Sequence, residues 1–259
     1  MLTSLVKDIF DDYSRRCFFD EAFGMVCEDQ GGLIPGAAGE DAEAYFRRKV
    51  RKDLWPININ YTHYTEDDLF DVIEFLYDHV SQPVQGDFHS FYNHVHYKVF
   101  NKVLGQSEFR KEINELLADY HDGFELSQKG EILSLADVGM KTLSDAPLPS
   151  YDPENAEARV ERAKNKYLLY KSSVDDRRDS VRELADVLEF LRPKLKAVLT
   201  KKDESDLFEL ANRFAIRHHD GDQKKDYDRA IWLSWMYYYY LATIHAAIRL
   251  IEQKTSKTT

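Results

Sequence analysis

The sequence predicts a mainly α protein, in which a helical N-terminal region with a small β-hairpin precedes an antiparallel helix bundle. Three observations lead to this fold class. Apolar residues recur at spacings of three and four through most of the chain, which is typical of amphipathic helices. Only in residues 124–135 does the pattern change clearly, to apolar residues at alternate positions on both sides of a turn. A proline-rich segment, residues 145–153, then separates the two regions.

The length of 259 residues suits one large domain or two small ones, and the proline-rich segment predicts two. We expect an N-terminal region over residues 1–146 and a helical domain over residues 147–259. The net charge of −11 divides unevenly between them. Residues 1–150 carry 14 Lys and Arg against 27 Asp and Glu, whereas residues 151–259 carry 21 against 19. The acidic N-terminal region therefore suits a protein partner better than a nucleic acid.

The apolar stretches are short or interrupted by charge, so we expect no membrane-spanning helix. The first eight residues lack the basic and apolar regions of a signal peptide. Cys17 and Cys27 are too few for a disulfide framework, which favours free thiols in a reducing compartment. The sequence therefore predicts a cytoplasmic protein.

The N-terminal region begins with a mixed helical pattern over residues 1–30, followed by a loop over 31–36. A short helix is predicted over 41–51 and an extended connector over 55–60, because Pro56 disfavours a helical Trp55.

Thr65 then suits the N-cap of a helix, since three acidic residues fill its first turn. We predict further helices over 91–104, with Gly105 as its C′ residue, and from Ser107 onward. The alternation in 124–135 predicts the β-hairpin.

The pattern of apolar residues predicts four long helices in the C-terminal region. They cover residues 154–171, residues 177–191, a segment that begins at Asp203 or Ser205, and a last segment from about Tyr227 to Gln253. The last helix is aromatic nearly all round, so it should be buried on more than one side. A core helix, a subunit interface and a base-stacking surface all remain open as interpretations.

The most informative stretch is Asn212–Asp220, at the end of the third of these helices, because it holds two arginines and two histidines. Arg213 and Arg217 are four apart and share a helix face, and His218 follows just beyond one turn. An arginine can neutralise charge on a phosphorane while an imidazole moves a proton, so the pair suits phosphodiester cleavage without a metal. The plain alternative is that these charges lie in water and cap helix carbonyls.

An Arg followed after four to six residues by a His resembles the motif of HEPN ribonucleases, which are helical and often dimeric. Arg213 with His218 fits this spacing, and His219 is the alternative partner. The resemblance implies that Arg213, Arg217, His218 and His219 are catalytic and that Asn212, Lys224 and Lys225 contact RNA. It also implies a HEPN-like bundle, a homodimer through the C-terminal domain, and no cofactor.

Two longer stretches are similar to abortive-infection proteins of the AbiJ kind, which act in anti-phage defence. Residues 214–227 with the aromatic helix resemble their C-terminal part, and residues 71–76 through the hairpin resemble their N-terminal regions. The motif also departs from the family, because Phe214 follows Arg213 where a polar residue is usual. A degenerate module that only dimerises and binds a protein partner is therefore the alternative function.

A second group of histidines, His89, His94 and His96, has spacing that could suit a metal. On the helix predicted over 91–104, however, His94 and His96 would point about 200° apart. No Cys or Glu pattern completes a ligand set. We therefore expect solvent-facing histidines and no metal site.

Overall fold

A computed structural model of the chain describes residues 1–91, 93–121, 123–135, 138–213 and 229–256. It confirms the mainly α fold class with a small β-hairpin. The contacts divide the chain into two compact units, Met1–Leu133 and Ser134–Thr259. This division comes earlier than the proline-rich segment, and the domain boundary at residue 146 stays a prediction. Within the described residues, every helix is too short or too polar to cross a membrane.

In the part of the first unit that the structure describes there are six α-helices and three small two-stranded sheets, and β6 crosses into the second unit by one residue. Its helices are α1 (Leu2–Arg15), α2 (Asp20–Phe23), α3 (Ala42–Val50), α4 (Ile57–Asn60), α5 (Glu66–His79) and α6 (Lys102–Leu117). Its strands are β1 (Met25–Cys27), β2 (Gly32–Ile34), β3 (Gln82–His89), β4 (His94–Asn101), β5 (Phe124–Leu126) and β6 (Ile132–Ser134).

Helix α5 is the centre of the first unit. It begins at the predicted cap, where the Thr65 hydroxyl accepts from the amide of Asp68 and the Asp68 carboxylate accepts from the amide of Thr65. Seven of its residues are buried, namely Leu69, Phe70, Val72, Ile73, Phe75, Leu76 and Tyr77. Aromatic rings of other elements pack on these side chains, including Phe46 on Phe75 at 4.6 Å between centroids. Such a helix, buried on most of its circumference, fixes where the surrounding elements lie.

The predicted hairpin lies against α5 and α6. The Asn114 side chain both donates to the carbonyl of Leu126 and accepts from its amide, at 3.1 and 2.6 Å. Glu74 accepts from the amide of Ile132 at 2.8 Å, and the Tyr77 hydroxyl donates to the carbonyl of Gln128. Side chains of the helices thus satisfy backbone groups of a sheet too small to be stable alone.

Three N-terminal predictions are wrong. The predicted loop over 31–36 contains β2, and the predicted connector over 55–60 contains the short helix α4. The predicted helix over 91–104 is instead strand β4 followed by the start of α6, with Asn101 as the N-cap and Gly105 inside the helix. Residues 94–100 are mostly histidine, valine and aromatic residues, and valine and aromatic residues favour a strand. Pairing with β3 then decided between the helical period of 3.6 residues and the strand period of two.

The second unit is a helix bundle. Its helices are α7 (Val138–Asp145), α8 (Ala158–Leu168), α9 (Val174–Leu195), α10 (Lys201–Arg213) and α11 (Arg229–Ser256), and a π-helical turn, Pro153–Glu157, precedes α8. The helix predicted over 177–191 lies within α9, where Val181, Leu184, Leu188 and Leu191 form a fully buried stripe. Tyr237 of α11 stacks on Tyr167 of α8 at 3.9 Å between ring centroids, and its hydroxyl lies 3.2 Å from that of Ser144 in α7. The aromatic helix α11 is therefore largely a core helix, as one of the three interpretations held.

His79, at the end of α5, is held as a neutral ring. Its Nδ1 lies 2.6 Å from the carbonyl oxygen of Phe75, so this nitrogen carries the proton, and Nε2 accepts from the Tyr45 hydroxyl at 2.9 Å. The ring also stacks on Phe75 at 4.2 Å between centroids. Burial is the main cause that lowers the pKa of His79 below its ordinary value of 6.5.

This environment predicts acid sensitivity. Because the folded pKa is below the unfolded one, the unfolded chain binds more protons below pH 6.5, and the stability that the neutral ring provides declines as the pH falls through the folded pKa. In the His79→Gln variant, the free energy of unfolding should fall less between pH 7 and pH 5 than in the wild type. Urea unfolding at each pH measures this, with exposed His63→Gln as the control. Equal pH dependence in wild type and His79→Gln would contradict the assignment.

Candidate functional sites

The end of α10 carries the first two residues of the candidate ribonuclease motif. Asn212 and Arg213 form the end of this helix, and the next described residue is Arg229, the first of α11. Arg217, His218, His219, Lys224 and Lys225 lie outside the described residues.

Helix α10 is fixed to the bundle before it reaches this motif. Phe208 is only 2% exposed and belongs to the core of the second unit. The guanidinium of Arg192, on α9, lies 4.1 Å from the centroid of the Phe208 ring and also bonds Glu204 of α10. Thr200 caps the helix start, because its hydroxyl accepts from the amide of Asp203 at 3.2 Å. The backbone at Arg213 is therefore carried by a well-anchored helix.

Another histidine of the second unit, His245 on α11, is buried and faces a pocket between α8 and the proline-rich segment. Burial, and then the charges of Arg249 and Lys164, lower the pKa of this imidazole. Glu157 and Glu161 line the same pocket, so its charges are mixed. This pocket does not have the one-sided positive charge that a phosphate site needs.

The other candidate site is the histidine group that the sequence placed on a helix. In the β3–β4 hairpin His89 pairs directly with His94, and Asp87 pairs with His96. Side chains two apart on a strand point to the same face, so His94 and His96 lie together, and the pairing brings His89 beside them. Gly86 lets the strands approach, because a Cβ there would lie 2.3 Å from the carbonyl oxygen of His96.

Cys27, at the end of β1, completes the group. It is 2% exposed and forms no disulfide. A 3₁₀ turn, Glu28–Gln30, follows it, and Gly31 with φ of 86° then reverses the chain so that Gly32 pairs with Cys27. The same turn places Asp29 beside the group, with its Oδ2 3.0 Å from Nε2 of His89.

One potential ligand atom from each of Cys27, His89, His94 and His96 can be chosen so that all four lie within 4.8 Å of one another. The Cys27 sulfur is 3.5 Å from Nδ1 of His89, and the Nε2 atoms of His94 and His96 are 2.8 Å apart. Desolvation, and then the neighbouring His94 and His89, lower the pKa of His96. The four residues form a compact group of nitrogen and sulfur donors, which we call the Cys–His cluster.

The sequence analysis missed this cluster for two reasons. The helical assignment of 91–104 separated His94 from His96, and a strand assignment would have joined them. Cys27 lies 62 positions before His89, so no local spacing connects them. The alternating His-Val-His of β4 was the one signal available in the sequence.

Comparison of the chain with protein-family models, with curated proteins and with solved structures finds no match. Any statement about activity therefore depends on the residues themselves.

The close approach at Gly86 predicts that the hairpin does not accept a side chain there. In the Gly86→Ala variant, the added methyl group would push against the His96 backbone, and overpacking of this kind costs about 1–3 kcal/mol. Urea unfolding in the presence of a chelator should show this loss, whereas Ser90→Ala, in the exposed turn of the same hairpin, should change stability little. A Gly86→Ala protein as stable as the wild type would show that the hairpin register is different.

Proposed function

We propose that the chain is a metal-independent endoribonuclease of the HEPN type, which acts in the cytoplasm in anti-phage defence or as a toxin. The observation that carries the proposal is the Arg-x4-His pair, Arg213 and His218, in which Arg213 is the last residue of α10. The resemblance to HEPN ribonucleases indicates the class of reaction, and the side chains of Arg213 and His218 are of the types that this reaction requires.

The reaction uses the RNA as its own nucleophile. The 2′-hydroxyl attacks the adjacent phosphorus, the bond to the 5′-oxygen breaks, and the products are a 2′,3′-cyclic phosphate and a 5′-hydroxyl. His218 serves as general acid or base, or positions the 2′-hydroxyl, and Arg213 stabilises negative charge on the phosphorane. Arg217 and His219 assist, and Asn212, Lys224 and Lys225 hold the RNA backbone.

The anchoring of α10 supports this assignment. A catalytic group is effective only when its position is fixed, and rigid elements hold such groups better than loops do. Phe208 and Arg192 fix α10 one to two turns before Arg213.

The exposed face of α11 supports a homodimer, the usual assembly of the family that the motif resembles. Ile231, Trp235, Tyr239, Ala242, Ala246 and Leu250 follow one another at spacings of three and four. Ile231 is 67% exposed and Trp235 is 40% exposed, and Ala242 and Ala246 are also exposed. Aromatic residues beside small ones suit close packing of two copies, so two motifs could contribute to one cleft.

The central test is RNA cleavage in EDTA by the wild type and by single variants. His218→Ala should reduce the rate by about 10²–10⁴-fold, the usual contribution of general acid–base catalysis. Arg213→Ala should reduce it by roughly 10²–10³-fold, as loss of a charge-stabilising donor does. His219→Ala tests the alternative proton carrier, and His63→Ala, at an exposed histidine of the first unit, is the matched control and should cleave like the wild type.

The chemical nature of the RNA products provides a second test. Wild type should leave cyclic phosphate ends and should not cut an otherwise identical strand with 2′-deoxy sugars. Cleavage that is unaffected by Arg213→Ala and by both histidine variants would contradict the proposal. Absence of cleavage in the wild type would instead favour the non-catalytic module, in which the acidic N-terminal region contacts a protein partner.

The dimer is tested separately by light scattering on a size-exclusion column. A carboxylate in the middle of the exposed α11 face would be buried unpaired in a dimer, so Ala246→Glu should shift the mass from two chains to one. Lys202→Glu, on the exposed surface of α10, is the matched control and should remain dimeric. A wild type that is a monomer at all concentrations would rule out the composite cleft.

A further inference from the structure

We propose that the Cys–His cluster is a zinc site that fastens the β1–β2 hairpin to the β3–β4 hairpin in the first unit. The site is independent of the ribonuclease motif, which lies in the other unit. Its ligands are the thiolate of Cys27 and one ring nitrogen from each of His89, His94 and His96.

The four ligand atoms lie within 4.8 Å of one another, which is about 1 Å wider than a tetrahedral zinc site requires. Zinc bonds of about 2.0–2.1 Å to nitrogen and 2.3 Å to sulfur place tetrahedral ligand atoms about 3.3–3.6 Å apart. The 3.5 Å between the Cys27 sulfur and Nδ1 of His89 is one such edge. The Nε2 atoms of His94 and His96, at 2.8 Å, need to separate by only a few tenths of an ångström. Rotation of two partly exposed imidazoles provides that movement.

Asp29 gives the second, independent indication. Its carboxylate bonds Nε2 of His89, which leaves Nδ1 of the same ring directed at the Cys27 sulfur. Metal-binding histidines characteristically donate their other nitrogen to a carboxylate, which fixes the tautomer and makes the ligand nitrogen more basic. The contact therefore prepares His89 to bind through Nδ1.

The chemical types of the four ligands indicate which ion binds, and their number indicates its role. One thiolate with three imidazoles suits zinc, whereas magnesium and calcium require oxygen ligands. Four protein ligands around one tetrahedral ion leave no position for water, which is the arrangement of a structural site. The free energy of zinc binding would then stabilise the fold directly.

The proposed site joins the β1–β2 hairpin to the β3–β4 hairpin, and the first of these is short. β1 and β2 have three residues each, and a hairpin of that size is not stable by itself in water. An ion shared by Cys27 from one hairpin and His89, His94 and His96 from the other would hold both in place. The short turn after Cys27 would be ordered with them, since Asp29 depends on the position of His89.

The test is metal binding by the full chain after removal of metals with a chelator. Wild type should take up one zinc per chain by elemental analysis, and its melting temperature should rise with zinc. Cobalt in place of zinc should give the strong visible absorption of a tetrahedral site together with a thiolate-to-cobalt charge-transfer band in the near ultraviolet.

Matched variants identify the ligands. Cys27→Ser keeps the side-chain size and should abolish the charge-transfer band, whereas Cys17→Ser, at the other free cysteine, should leave it unchanged. Asp29→Asn retains all four ligands and should keep the cobalt spectrum while it lowers zinc affinity by about 10–100-fold. This last variant separates a role in the site from a general loss of folding.

Three results would overturn the proposal. The first is a wild type that binds no zinc after metal removal and reloading. The second is a Cys27→Ser protein that keeps the charge-transfer band. The third is a folded His94→Ala protein whose zinc affinity equals that of the control His63→Ala.

Discussion

The pairing of β3 with β4 is the constraint on which the best-defined site in this protein depends. Direct pairing of His89 with His94, and the strand alternation that adds His96, place three imidazoles on one face. A register shift of one residue would move His94 and His96 to the opposite face, away from His89 and Cys27. Gly86 is the residue that lets the strands meet at this point, and Asn101 ends the strand by capping α6.

Elements with strong local signals were predictable from the sequence. The cap at Thr65, the buried stripe of α9 and the alternation around residues 124–135 all correspond to structure, because local chemistry and tertiary packing agree there. The segment from His94 to Asn101 was not predictable in the same way. Its apolar residues fit either period over so short a length, and the partner strand decided between them.

The contrast between local signals and tertiary pairing also explains which parts of the two candidate sites could be predicted from the sequence. The Arg213–His218 pair is local in sequence, so spacing alone identified it, although its geometry lies outside the described residues. The Cys–His cluster is assembled from two hairpins, and its ligand set exists only once the chain has folded. An incorrect helix therefore led to the incorrect expectation that His94 and His96 point apart, through a sound argument about side-chain directions.

We propose metal binding in the first unit and RNA cleavage in the second, so one protein preparation can test both. The most direct measurement is the zinc content and the RNA cleavage rate of His218→Ala in the same sample. We predict one zinc per chain, as in the wild type, together with a loss of cleavage of about 10²–10⁴-fold. Retained cleavage would remove His218 from the chemistry, and loss of zinc would contradict the independence of the two sites.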